Sequence, residues 1–165
     1  MPVNPTVRSR LEAQGFCGLN DATLEELSPW LRWTYTIGTL VTLIGVASMS
    51  PVVLWVLAAI TSAGIFLPFH PFDLLYNYGA RILTGTKPFP HSGPQRRFVF
   101  VVATAWLIAT GWMFYIGAPI AGIALGVPLI LVGALASITN FCIPSLIYNT
   151  VTARRARKGT SRVRH

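Results

Sequence analysis

Hydrophobic and polar positions divide the chain into four long apolar stretches separated by polar segments of very unequal length. The first covers residues 31–49 and breaks at Ser50-Pro51; the second covers 51–69 and stops before His70-Pro71. Each is about 19 residues long, enough at about 1.5 Å per residue to cross a hydrocarbon core about 30 Å thick. The break between them is so short that the two must form an antiparallel hairpin. A third stretch, 98–116, and a fourth, 120–148, repeat the arrangement around Gly117-Ala118-Pro119. The fourth exceeds one perpendicular crossing, so a tilt or a kink at Pro128 is expected. Trp30, Trp33 and Tyr35 open the first stretch, where amphipathic rings favour the headgroup layer. The pattern predicts an all-α integral membrane protein, with four transmembrane helices as two hairpins plus interfacial amphipathic helices.

Three polar segments complete the layout. Residues 1–30 form an N-terminal arm with two early prolines, Gly15 and Gly18, followed by a short helix. Asn20 can cap that helix, and Leu19 and Leu24 occupy the two positions of a hydrophobic staple. Asp21, Glu25 and Glu26 stand in its first turns, where the helix dipole favours negative charge. Leu24, Leu27 and Leu31 repeat at helical spacing, so the helix either lies on the membrane surface or caps its own bundle. In the loop 70–97, Phe72, Leu75, Tyr76, Ile82 and Leu83 alternate with Asp73, Asn77 and Arg81, which predicts an interfacial helix ending near Gly85. Pro88, Pro90 and Pro94 then hold the backbone out of any helix until Arg96-Arg97. The membrane domain is thus 31–149, and residues 150–165 form a basic tail.

Composition agrees: 53% of residues are hydrophobic and 11% charged, against about 25% charged in a soluble domain. The net charge of +8 does not indicate nucleic-acid binding, because six of the thirteen basic residues lie between Arg154 and Arg164 and the others flank apolar segments. The hairpin turns at 49–51 and 117–119 carry no charge. All Lys and Arg fall in the arm, the loop and the tail, or, for Arg32, at the arm's edge of the first stretch, and four spans place these on one side. The positive-inside rule makes that side cytoplasmic, with both termini there. The first thirty residues are polar, so no cleavable signal peptide is expected and the first apolar helix is the anchor.

Candidate chemistry is sparse. The centres of the spans hold no Asp, Glu, Lys, Arg or His, the usual marks of ion pathways and proton relays, which argues against an active transporter. No phosphate loop, HExxH or nucleophile elbow occurs, so no catalytic residue is assigned. His70 is a candidate ligand for a pigment, a haem or a quinone; its bland alternative is a polar cap at the membrane interface. His91 and His165 have no neighbours at ligand spacing, and no metal site is expected. Gly122, Gly126 and Gly133 share one face of the last span and suit close helix packing. Asp21, Glu25, Lys87, Arg96 and Arg97 are candidate contacts to a partner or to lipid headgroups. Arg154, Arg155, Arg157 and Lys158 in the tail can engage anionic lipids at about 1 kcal/mol each. Cys17 and Cys142 stand far apart and form no CxxC; Cys142 is a candidate thiol.

From the second span onward, two short motifs stand out: Arg97-Phe98-Val99, and Asn140-Phe141-Cys142-Ile143-Pro144-Ser145 with Leu146-Ile147-Tyr148 behind it. The chain resembles a family of small bacterial multi-pass membrane proteins of unknown function, which carry Arg-Phe-Ala and then Gly-Phe-Cys-x-x-Cys with an apolar-Tyr ending. The resemblance implies a bacterial cytoplasmic membrane location. It covers about 90 residues and leaves out the arm. Where the family has its second cysteine this chain has Ser145. The family's Cys pair implies a redox or metal-handling ancestry; a lone Cys142 has no second thiol with which to cycle.

These features favour a non-catalytic accessory subunit packed against a larger membrane complex, respiratory or photosynthetic, with other subunits and anionic lipids as partners. A thiol- or quinone-linked redox protein and a small channel or carrier for an uncharged or metal solute are the alternatives. Bound lipid, quinone or pigment is compatible with each.

Overall fold

The computed structural model describes residues 20–27, 30–67, 70–85, 87, 94–139, 145 and 147–152, with positions 5, 8, 9 and 12 of the arm. Among these residues every regular element is helical. The first, α1 (Asp21–Leu27), is capped as its spacing requires: Asn20 Oδ1 accepts the Thr23 N–H at 2.9 Å. Leu27 is fully buried, so of the two readings α1 takes the second and packs on its own bundle. A 3-10 turn, Trp30–Arg32, leads into α2 (Trp33–Ala47).

The first hairpin closes at Met49, whose φ of 50° lies in the left-handed region. Ser50 Oγ accepts the Val53 N–H, and Pro51 fits the first position of α3 (Pro51–Phe66), where no backbone donor is missed. The second hairpin joins α6 (Pro94–Tyr115) to α7 (Pro119–Thr139) through Gly117, at φ 74°. Between the hairpins lie α4 (Pro71–Leu75), a π-helical turn over Tyr76–Ala80, and α5 (Arg81–Thr84), ended by Gly85 at φ 67°.

Several boundaries differ from the sequence pattern. Pro94 does not delay the third long helix; it begins it, because proline's fixed φ suits a first helical position. The last long helix is described over Pro119–Thr139, and positions 145 and 147–152 are helical as well; 140–144 and 146, which the expected run to Tyr148 would cross, lie outside the described residues. With 22 and 21 residues, α6 and α7 are long and apolar enough to cross a membrane. With 15 and 16 residues, α2 and α3 contain no charge but are shorter than the about 20 residues a crossing requires.

The four long helices form a ring in which α2 contacts α3, α3 contacts α6, α6 contacts α7 and α7 contacts α2. The starts of α2 and α6 and the ends of α3 and α7 line one shared cavity, so neighbours run antiparallel. Val46, Leu54, Leu57, Ala58, Leu107 and Phe114 make the apolar core. Indole and guanidinium donors stitch the ring: Trp55 Nε1 to the Ile108 carbonyl, Trp106 Nε1 to the Leu125 carbonyl, and Arg32 to the Ile138 carbonyl at 3.0 Å. The Trp106 bond falls one turn before Pro128, where the missing proline N–H loosens the α7 backbone ladder.

The loop helices turn by 86° from α3. Their polarity departs from the predicted pattern. Asp73 and Tyr76 face inward, while Leu75, Tyr78 and Ile82 are exposed along one side. Tyr76 packs against Trp30, ring centroids 5.2 Å apart, which joins the loop to the start of α2.

Candidate functional site

At the end of the bundle where the loop enters, sequence and local structure assemble a buried polar cluster. His70 is the N-cap of α4, with Pro71 at its first position. The cap is reciprocal: His70 Nδ1 accepts the Phe72 N–H at 3.2 Å, and Asp73 Oδ2 accepts the His70 N–H at 3.3 Å. This is a capping box in which an imidazole replaces the usual hydroxyl. The Asp73 carboxylate also accepts from Thr34 Oγ1 at the start of α2, and it pairs with Arg96 at 3.1 Å from the start of α6. One carboxylate therefore ties the loop to two long helices.

Burial makes this cluster energetically consequential. Asp73 is 0% exposed and Arg96 1%, so neither charge is solvated and each depends on the other. The Arg96 guanidinium also lies over the Phe100 ring, 5.6 Å from its centroid, and adjoins Tyr35. His70 is 1% exposed and packs against Phe100, centroids 4.5 Å apart. Gly64 on α3 provides its slot, since a Cβ there would collide with the imidazole and with Phe100. Burial pushes the His70 pKa down to about 4; the nearby Asp73 opposes the shift and Arg96 adds to it. The ring is therefore neutral near pH 7. With Nδ1 accepting from Phe72, its proton is assigned to Nε2. Such a histidine donates a hydrogen bond and does not abstract a proton.

Next to the cluster, inside the ring of helices, lies a cavity of about 120 Å³. His70, Phe72 and Phe100 line its loop end, and Gly38, Ala103 and Ala136 are among the small residues of its walls. Among the described residues no group of three or more His, Cys, Asp or Glu is placed to hold a metal ion.

The sequence-derived candidates distribute unevenly. His70 lies at the centre, as a cap and a cavity wall. Arg96, assigned from sequence to partner or headgroup contact, is turned inward instead, because Asp73 supplies its counter-charge. Arg97, one position on, is exposed. Lys87 is engaged within the chain: its N–H donates to Glu26 at 2.8 Å, its Nζ donates to Thr23 at 3.0 Å, and Nζ pairs with Glu26 Oε2 at 3.7 Å. The three glycines face inward. Gly122 admits Phe114, Gly126 admits Val46 and Gly133 admits Thr39, so this stripe serves packing within the bundle. The side chains of Asp21 and Glu25, and Cys142, His91, Arg154, Arg155, Arg157 and Lys158, lie outside the described residues. Ser145 is 1% exposed and its hydroxyl has no hydrogen-bond partner among the described residues.

Asp73 and Thr34 were not singled out by sequence reasoning. A signal existed: His-Pro-x-Asp matches a helix start with an acidic third position, which could have flagged Asp73 as a cap. Nothing comparable marks Thr34.

Fold and site together define an all-helical protein, with two helices long and apolar enough to cross a membrane, held at one end by a buried ion pair. A family described as a domain of unknown function, DUF4395, matches residues 28–153, and the chain belongs to it. The match agrees in kind with the uncharacterised family that the sequence resembles, and it begins at the end of the arm. No curated protein and no solved structure is similar enough to count as a match.

Proposed function

We propose that the protein is a four-span component of the bacterial cytoplasmic membrane, with both termini cytoplasmic, that serves as a non-catalytic accessory subunit of a larger membrane complex. Respiratory and photosynthetic assemblies are the candidates. The spans are those of the apolar pattern, 31–49, 51–69, 98–116 and 120–148. The exposed Ile44, Val56, Phe66, Ile120, Leu131 and Ile138 on α2, α3 and α7 support a lipid or protein environment around the whole ring.

One observation carries the accessory reading. An outer groove between α3 and α6 is lined by Trp55, Ala59, Ser62, Thr104, Ile108 and Trp112. The Thr104 hydroxyl there is buried without a hydrogen-bond partner among the described residues, whereas Thr110, on the same helix, bonds back to the Trp106 carbonyl. Small residues beside an unsatisfied hydroxyl are what an incoming transmembrane helix would use. The glycine stripe is spent on internal packing, so this groove replaces it as the contact surface.

Native electrophoresis of host membranes tests the reading. The protein is expected in a large assembly, and Thr104→Leu with Ser62→Leu is expected to release it while it stays in the membrane. Migration as a monomer or small homo-oligomer would sink the subunit role. Topology is checked separately with a reporter active only outside the cytoplasm. Fusions after Ser50 or Gly117 should be active and one after Gly93 silent.

A further inference from the structure

The interior cavity is separate from the outer groove, and its walls specify a ligand. Protein interiors are close-packed, with few voids larger than a water molecule, and an empty void of about 120 Å³ costs stability. Here larger side chains would have room. A Cβ added at Gly38 would meet nothing within 4 Å, and Ala103 and Ala136 line the same space. A void of comparable size with apolar walls stays dry and accepts a single aromatic ring.

The polar groups along its walls are nearly all committed. The hydroxyls of Thr39, Thr42 and Thr61 donate to carbonyls one turn back, at 2.7, 2.7 and 2.8 Å. Thr34 donates to Asp73, and the Trp106 indole to Leu125. His70 differs. Its Nδ1 is taken by the cap, which leaves the proton on Nε2, and that donor has no acceptor among the described residues. A neutral imidazole N–H beside a ring-sized apolar void requires a ligand that is uncharged, apolar in body and an acceptor at one end. We infer that the cavity binds a lipophilic single-ring compound carrying a carbonyl oxygen, the chemistry of a quinone headgroup, with that oxygen accepting from His70 Nε2. This holds whether or not the protein belongs to a larger assembly.

The test uses the purified full-length protein in detergent micelles, with duroquinone and its oxygen-free counterpart durene as probes. Affinities are read from the concentration dependence of Tm. Duroquinone is expected to bind about fivefold more tightly than durene, the value of one net hydrogen bond. Gly38→Leu, which fills the void, should weaken both probes about tenfold or more while the unliganded Tm holds or rises. Ala103→Leu is a second filling variant should the first fold poorly. His70→Ser keeps a good helix cap but leaves no donor at the position of Nε2, so durene binding should persist and the preference for duroquinone disappear. Equal binding of the two probes by the wild type would overturn the assignment. So would unchanged binding in the filled variants, which would report partition into the micelle alone.

Discussion

Replacing Arg96 by Met isolates the contribution of the buried ion pair. Methionine keeps the unbranched stem within the space that Arg96 occupies, and it removes the charge. Among the described residues, Asp73 is then a fully buried carboxylate supported only by Thr34 and the His70 N–H. Removing one partner of such a pair costs about 3–5 kcal/mol, most of it the penalty of leaving the other charge unpaired. Asp73→Asn should cost a similar amount from the opposite side, because the buried Arg96 guanidinium loses its carboxylate counter-charge although the cap geometry survives. The double variant carries no buried charge, and is expected within about 1 kcal/mol of wild type. The cycle should therefore return an interaction energy of about 5 kcal/mol or more. Reversible unfolding of the four proteins in mixed micelles, followed by tryptophan fluorescence, gives these values. A cost below about 1 kcal/mol for Arg96→Met, or additive losses in the double variant, would refute the argument.

Other perturbations give sharper signs than sizes. His70 has its pKa lowered from 6.5 to about 4, so its neutral form stabilises the fold fully above pH 6.5. That contribution, about 3 kcal/mol, is lost as pH falls from 6.5 towards 4 and changes no further below; a pH series of unfolding free energies should show the slope in wild type and its absence in His70→Asn. Gly126→Leu should lower stability by about 1–3 kcal/mol, since its Cβ would stand 2.5 Å from Val46, whereas Gly38→Ala should be neutral or stabilising by up to about 1 kcal/mol; melting temperatures separate the two. Lys87→Ala should cost about 1 kcal/mol or less by the same unfolding assay, because the ammonium is half exposed where it meets Glu26.

What the sequence reveals here follows from what each signal depends on. Breaks that rest on local chemistry are legible: Asn20 as a cap, Ser50-Pro51 and Gly117 as hairpin turns. The glycine face is legible as a packing stripe, although its partners Val46, Phe114 and Thr39 come from other helices and emerge only in the folded bundle. The polar cluster was obscured because a charge beside an apolar stretch reads as a solvated flank. Asp73 and Arg96 are 23 residues apart and become partners only through the closed ring. The π-helical turn at Tyr76–Ala80 added a second obstacle. It rotates the face of the loop relative to an ideal 3.6-residue repeat, so Tyr76, assigned to one apolar side with Leu75 and Ile82, turns inward while those two stay exposed.

The spacing of the ion pair also orders events during synthesis. Asp73 leaves the ribosome 23 residues before Arg96, an interval of roughly one to five seconds at ordinary elongation rates. Through that interval the first hairpin can already make the His70 cap and the Thr34 contact, since all three residues precede the loop's end. Its carboxylate still has no cation. A nascent chain halted or cleaved before α6 therefore ends with an acidic group that must remain near water. The second hairpin brings in the missing charge, and docking of the two halves is rewarded where the carboxylate of one meets the guanidinium of the other.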